Sequence, residues 1–351
     1  MRRKVIKQGY NTLTVTLPAE WAKKFNVKPG DEVDITEQGR TLQVSTDRGP
    51  NLLSITIDIS GLTSAVIWRY ILSAYRAGYD EITITGIEHN GGKSKSAFSA
   101  KTNIDYMNNK NFSMTSPTQI IQFATSSVLR TSFDWNKLMK PIEVVSACVN
   151  RLIGMEIIEQ KDDYCKIKEI SETTYKEFNN AFRRMFVLLR LEAEYIENAL
   201  AGKKLDMKEI FIVDTNLDRF EDFCMRVLNK KGYSEYRKTS VMYSSAFIME
   251  LIGDELKKIG QHVMESKKVH SKMIRELFNV QVKQLDRIYD LFYKFDKEKI
   301  IDIYNEDKIG TDIIEKYNKR LNNEEKEMLH HFKKVGIFVL NLTELRIDLE
   351  L

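Results

Sequence analysis

The sequence predicts an α+β multidomain chain: a small β head over residues 1–48, a small α/β module over 49–171 and an all-α bundle over 172–351. Three patterns carry this reading. Apolar residues alternate with a period of two near the start, at Leu13, Val15 and Leu17, then Val33 and Ile35, then Leu42 and Val44. A strand–helix–strand order follows between residues 53 and 84, as in layered α/β modules. From residue 172 onward apolar residues recur at threes and fours. With only five prolines in the chain, little interrupts long helices.

In the head, Val5 and Ile6 precede a turn at Gln8-Gly9-Tyr10-Asn11, and the alternating strand follows. Pro18 opens a short helix, where its missing N–H costs nothing. Trp21 and Phe25 stand four apart and share a face of that helix. Pro29-Gly30-Asp31 is a turn, because Pro presets φ and Gly permits φ > 0. Gln38-Gly39 turns the chain between two further strands. So little apolar mass is marginal in an isolated unit, which points to a homodimer formed through the head.

In the module, Leu53, Ile55, Ile57 and Ile59 alternate as a strand, residues 65–75 have helical spacing, and Ile82 and Ile84 mark a second strand. Residues 142–153 predict a second helix, and Ile157, Ile158, Tyr164, Ile167 and Ile170 short strands. Residues 88–140 are an insertion. Its 88–116 part is rich in Asn, Ser, Lys and Gly and reads as a surface segment, and 118–139 as a helix. In the bundle, Phe178, Phe182, Met185, Leu189 and Ile196 form a first stripe. Ile210, Val213, Leu217, Phe220, Cys224 and Val227 form a second. Ile248, Ile252, Leu256, Ile259 and Val263 form a third, and Phe278, Val282, Leu285, Ile288, Phe292 and Phe295 a fourth. Helices over 298–320 and 323–349 complete two successive three-helix sets.

Composition bounds the class. The chain is 42% apolar and 30% charged, as ordinary globular proteins are. No apolar run reaches the ~18 residues that span a bilayer, and no signal-peptide pattern opens the chain. The expectation is a cytoplasmic protein without membrane insertion. Cys148, Cys165 and Cys224 are scattered, which argues against a disulfide framework or a cysteine zinc site. No P-loop, GxGxxG, GxSxG or HExxH motif is present, so no enzyme class has positive support.

Two charge patterns carry chemistry. Residues 1–30 hold Arg2, Arg3, Lys4, Lys7, Lys23, Lys24 and Lys28 against the one acid Glu20, while the whole chain carries only +4. Basic side chains on strands or a flexible end neutralise phosphates and release counterions, which suits double-stranded DNA. The competing reading is a solvated basic patch. Far downstream, Asp214/Asp218 and Glu250/Asp254 each stand four apart, so both members of a pair project from one helix face. Such pairs repel unless a cation lies between them. Facing carboxylates in helical bundles hold metal ions of the hard or borderline kind, such as iron, zinc, manganese or magnesium. The competing reading is a solvated acidic face, since a chain with 50 acids holds such pairs by chance. His262 and His270, eight apart, read as structural or solvated, and His330-His331 as an exposed pair.

Two resemblances add to this. The run from Val15 to Val33 (VTLPAEWAKKFNVKPGDEV) resembles the AbrB/MazE/SpoVT family of swapped-hairpin DNA-binding domains, over about 45 residues. That implies a dimer with interleaved hairpins, and places Arg2, Arg3, Lys4 and Lys7 on the DNA-facing strand and its flank, with Lys23 and Lys24 on the short helix. The family also includes antitoxins. Met249 to Ile259 (MELIGDELKKI) and Asp214 to Phe220 (DTNLDRF) are similar to the two acidic motifs of the PhoU family. Those are bundles of two three-helix repeats that regulate phosphate uptake, several with iron or zinc clusters. The match carries that role onto Asp214, Asp218, Glu250 and Asp254, with Leu251 where the family has Arg. In the second repeat, Glu344 and Asp348 keep the spacing, but no Gly precedes Asp348 and the partner helix offers Asp312 with Lys308. Residues 69–84 and 150–160 look like the linker module of archaeal-type PhoU proteins with an AbrB-like head. The combined resemblance implies a DNA-binding regulator of phosphate uptake. The rival is a docking protein for a phosphate transporter or signalling protein, its head serving only to dimerise. A weaker rival is a metal-dependent hydrolase, which lacks a candidate nucleophile or base.

Overall fold

The computed structural model describes residues 2–38, 41–46, 52–87, 140–171, 175–266, 271–317 and 321–351. The expected insertion, including its helix at 118–139, lies outside the described residues save Lys140. So does His270. The chain divides into two compact units, Met1–Leu52 and Leu53–Leu351.

In the first unit, β1 (Ile6–Gln8) pairs antiparallel with β2 (Thr12–Thr14). Gly9 between them has φ +76°, which a residue with a Cβ rarely adopts. Helix α1 (Ala19–Lys24) starts directly after Pro18, and the Trp21 and Phe25 rings stand 5.3 Å apart. The Pro29-Gly30-Asp31 turn forms with Gly30 at φ +94°. The Asp31 N–H donates to the Lys28 carbonyl at 3.0 Å, and the Asp31 carboxylate accepts from the Lys28 N–H. Strands β3 (Asp34–Gln38) and β4 (Thr41–Ser45) form a second antiparallel pair. None of the described side chains in residues 2–46 is buried. Leu13, Ile35 and Leu42 are 71%, 62% and 68% exposed.

The second unit opens with a four-stranded mixed sheet in the order β5-β6-β8-β7. Strand β5 (Ser54–Asp58) runs parallel to β6 (Glu81–Thr85) through helix α2 (Ser64–Arg76). After α3 (Pro141–Val149), β7 (Met155–Gln160) and β8 (Tyr164–Glu169) form a hairpin, and β8 inserts antiparallel beside β6. Ile57, Ile82, Ile84 and Ile167 of the sheet pack with Ile67, Ile71, Tyr75, Val144 and Val145 of the two helices. A bulge at Ile157/Glu159 shifts the register of β7 and leaves Ile158 exposed.

Six helices follow: α4 (Tyr175–Leu200), α5 (Met207–Lys231), α6 (Thr239–Glu265), α7 (Lys272–Tyr293), α8 (Lys297–Tyr317) and α9 (Asn323–Asp348). Helices α4, α5 and α6 pack on one another, and α7 packs with α8 and α9. The two sets join through α6 on α9 and α4 on α7, so one continuous apolar core runs through both. The module leans its helix α2 on α5. Most of the apolar stripes read from the sequence are buried here, from Phe178 on α4 to Ile288 on α7.

Close approach within the first set depends on two glycines of α6, seven residues apart on one face. A Cβ on Gly253 would run into the Leu217 side chain of α5, and one on Gly260 would meet Ile210 Cδ1 at 2.6 Å. Overpacking of this kind costs roughly 1–3 kcal/mol, against about 1 kcal/mol gained from better helix propensity. Gly253→Ala is therefore expected to lower the thermal midpoint by a few degrees in calorimetry; an unchanged or raised midpoint would show that Leu217 yields freely.

Candidate functional site

Arg2, Arg3 and Lys4 precede β1, Lys7 lies on it, and Lys23 and Lys24 close α1; all six are exposed. Lys7 pairs across the hairpin with Leu13, so charge and apolar surface share that face. Lys24 folds back over Phe25, its ammonium 5.4 Å from the ring centroid.

The acidic residues sit at the centre of the second unit. Asp214, Asp218, Glu221 and Asp222 of α5 line one face at helical spacing, and all four are buried. Asp214 meets α6. The Lys257 ammonium of α6 donates to Asp214 Oδ1 at 2.6 Å and to Asp254 Oδ1 at 2.8 Å. The point between the two acidic pairs, where their spacing predicts a metal ion, thus holds a lysine. Glu250 lies one turn before Asp254 and is also buried. Asp218 turns toward the module: Arg151, just after α3, stands 3.1 Å from Asp218 Oδ2 and donates to Asp222 Oδ2 at 2.9 Å. Arg76, at the end of α2, bonds Asp222 and reaches Glu221 Oε2 at 3.0 Å.

The same seam continues along α5. The buried Arg226 donates to the Tyr75 carbonyl at 2.8 Å, lies over the Tyr75 ring, and stands 3.2 Å from Glu169 Oε2. Lys230 bridges Asp80 and Glu169 of the module.

A further acid completes the centre. Glu192 of α4 is fully buried, with Oε2 near Gly253, and neither oxygen has a hydrogen-bond partner. Burial, then Asp214, pushes its carboxyl well above the usual range. Burial also raises the Asp214 carboxyl to about 7, against the pull of Lys257 and with Asp218 adding. Burial works against the Lys257 charge, but Asp214, Asp254 and Asp218 outweigh it and raise its pKa.

As they stand, these donors do not fit a metal centre. One oxygen each of Asp214 and Asp254 is held by Lys257, and Asp218 faces Arg151. Among the described residues no group of three or more His, Cys, Asp or Glu side chains is placed to hold a metal ion.

The second three-helix set departs from the sequence expectation. Asp312, Glu344 and Asp348 are exposed. The acidic pair held by a cation is instead Asp302/Glu306 on α8, which Arg287 of α7 contacts at 2.6 and 2.7 Å. The histidine pair is not uniformly exposed either. His331 is half-buried, with Nδ1 2.6 Å from Glu255 Oε2, and its ring stands 5.3 Å from that of His262. With Lys326, Glu327 and His330 these rings line an open cleft of about 430 Å³. Glu255 accepts from His331 and Lys258, which outweigh burial and hold its carboxyl down at about 2.

Comparison with known proteins adds the following. Residues 6–46 match the family model described as antidote-toxin recognition MazE, bacterial antitoxin; the head is a MazE/AbrB-like domain. Among solved structures, the chain is similar to the phosphate transport system regulatory protein PhoU from Streptococcus pneumoniae. That match has 18% sequence identity and a TM-score of 0.41, and covers 50% of this chain and 94% of that chain. No curated protein matches the chain. No helix among the described residues is long and apolar enough to cross a membrane.

The seam gives a pH prediction. Burial raises the Glu221 carboxyl to about 8, although Arg76 pulls the other way, while its ordinary value is 4.5. Between those values the folded state holds a proton that the unfolded state has released, so stability falls as pH rises. The thermal midpoint is expected to drop from pH 5 to pH 8, and to drop less in Glu221→Gln. Parallel profiles for the two proteins would show that Glu221 does not titrate in this window.

Proposed function

We propose that the chain is a DNA-binding regulator. Its head contacts duplex DNA, and its helical body senses or docks a component of phosphate uptake. The observation that carries the DNA reading is a MazE/AbrB-like head whose Arg2, Arg3, Lys4, Lys7, Lys23 and Lys24 all reach solvent. Such side chains neutralise phosphates and position a protein on a duplex. The phosphate link is supported by the resemblance of the two acidic motifs to the PhoU family, and by that alone.

Replacing Arg2, Arg3, Lys4 and Lys7 with Ala should weaken duplex binding across all sequences. The slope of log affinity against log salt should flatten by up to about one unit per lost phosphate contact. A mobility shift at two salt concentrations reads both. Affinity and slope that stay put would remove the arm from the DNA surface.

The second reading is a docking protein whose head only dimerises, and it rests on a different observation. The head buries no described side chain of its own, while Leu13, Ile35 and Leu42 stand open. A second copy interleaving its hairpins would cover them, and both readings share this dimer. Light scattering should show a dimer for the full chain and a shift toward monomer for a chain that starts at residue 53. An unchanged dimer would mean that the body holds the assembly.

A further inference from the structure

We infer that the acidic centre of the helical body carries its own cation, the Lys257 ammonium, and is a metal-independent site. This goes beyond the regulatory reading and stands whether or not the head binds DNA.

The geometry argues it in three steps. First, Lys257 is 1% exposed and lies 2.6 and 2.8 Å from one oxygen each of Asp214 and Asp254. It therefore bridges the α5 acid and the α6 acid, which is the task that facing carboxylates otherwise give a metal ion. Second, lysine and ion exclude each other. A divalent ion bound by those oxygens would sit about 2.0–2.6 Å from each. At that point it would stand against an ammonium already in hydrogen-bond contact with the same atoms. Binding would require Lys257 to leave, and a side chain this buried leaves only by opening the packing of α5 on α6. Third, the neighbouring acid takes a cation from elsewhere, because Asp218 is faced by Arg151 from the module. The i,i+4 pair of α8 shows the same solution, with Arg287 between Asp302 and Glu306. Each set of three helices thus meets acidic repulsion with a basic side chain from a neighbouring helix.

Glu192 and Asp214 Oδ2 are the atoms that press the other way. They are buried beside the lysine without hydrogen-bond partners, and are the donors an ion would take once the ammonium is gone. Lys257 is accordingly the residue that decides between a salt-bridged and a metal-bound centre.

The test uses the full chain, purified from cells grown with added iron, zinc and manganese. Plasma mass spectrometry is expected to find metal far below one ion per chain. Added zinc, manganese, magnesium or iron, or a chelator, should leave the melting temperature within about 1 °C. Lys257→Met removes the charge and keeps the length. In metal-free buffer it should melt lower by about 6 °C or more, because it strands buried carboxylates. Added zinc or manganese should restore part of that loss, and a second substitution, Asp254→Asn, should abolish the restoration. Lys257→Arg keeps a cation and should stay metal-insensitive. Stoichiometric metal in the wild type that disappears in Asp214→Asn would overturn the inference. So would a Lys257→Met protein that melts like the wild type with and without metal. Should Lys257→Met fail to fold, the metal content of the wild type decides the question by itself.

Discussion

The second unit is organised by the burial of one acidic helix face. Helix α5 places Asp214, Asp218, Glu221 and Asp222 on successive turns, and none of them reaches water. Four carboxylates at that spacing cannot all ionise in a low-dielectric interior without cations close by. The cations come from both sides: Arg76 and Arg151 from the α/β module, Lys257 from α6. The position of the module against the bundle is therefore fixed by charge matching as well as by apolar contact. Further along α5 the signs reverse, and Arg226 and Lys230 face Asp80 and Glu169 of the module.

This polarity has a physical consequence for registry. Helix α2 of the module packs on α5, and apolar contact alone carries no charge pattern to fix their register. A seam that runs from acid to base along α5 resists sliding, because a one-turn shift would set Arg226 where Asp222 now meets Arg76 and Arg151. Buried ion pairs are weak evidence for net stability, since desolvation offsets most of the attraction. Breaking one by removing a single partner is costly, because the other charge is left buried. The seam thus specifies one arrangement of module and body more than it stabilises either. The backbone bonds around it serve the same end: Tyr75 donates to the Ile153 carbonyl, and Asn229 donates to the Arg76 carbonyl.

Much of this architecture was legible in the sequence, because its elements are local. The helical stripes repeat within one turn, and the Pro29-Gly30-Asp31 turn has its mechanism within three residues. Sheet order was not legible. Strand β8 lies between β6 and β7 because of pairing partners some eighty residues apart, across the insertion. The spacing put Asp214/Asp218 and Glu250/Asp254 one turn apart on helices, but gave no sign of their counterions. Arg76 meets Glu221 from 145 positions away and Arg151 meets Asp222 from 71, distances that no local pattern spans. Two local signals were nonetheless available. Glu192 falls three after Leu189 and four before Ile196, so an acid occupies a core position of the α4 stripe. Lys257 stands three after Asp254, on the face that Glu250 and Asp254 already define.

The two bundles apply one rule under different degrees of burial. In the first set, Asp214 and Lys257 are both about 1% exposed, and the bridge is sealed between helices. In the second, Arg287 is 38% and Asp302 46% exposed, so water screens the contact and its worth is small. The difference follows from what surrounds each bridge. The Asp214–Lys257 bridge lies between α5 and α6 with Glu192 of α4 close by, whereas Ile301, Tyr304 and Ile309 of α8 remain open. A charge pair becomes structural when a second layer removes its water. The docking of the α/β module buries Asp218, Glu221 and Asp222 against Arg76 and Arg151, whereas Asp214 is buried within the bundle against Lys257, and the lysine and two arginines are what make that burial tolerable.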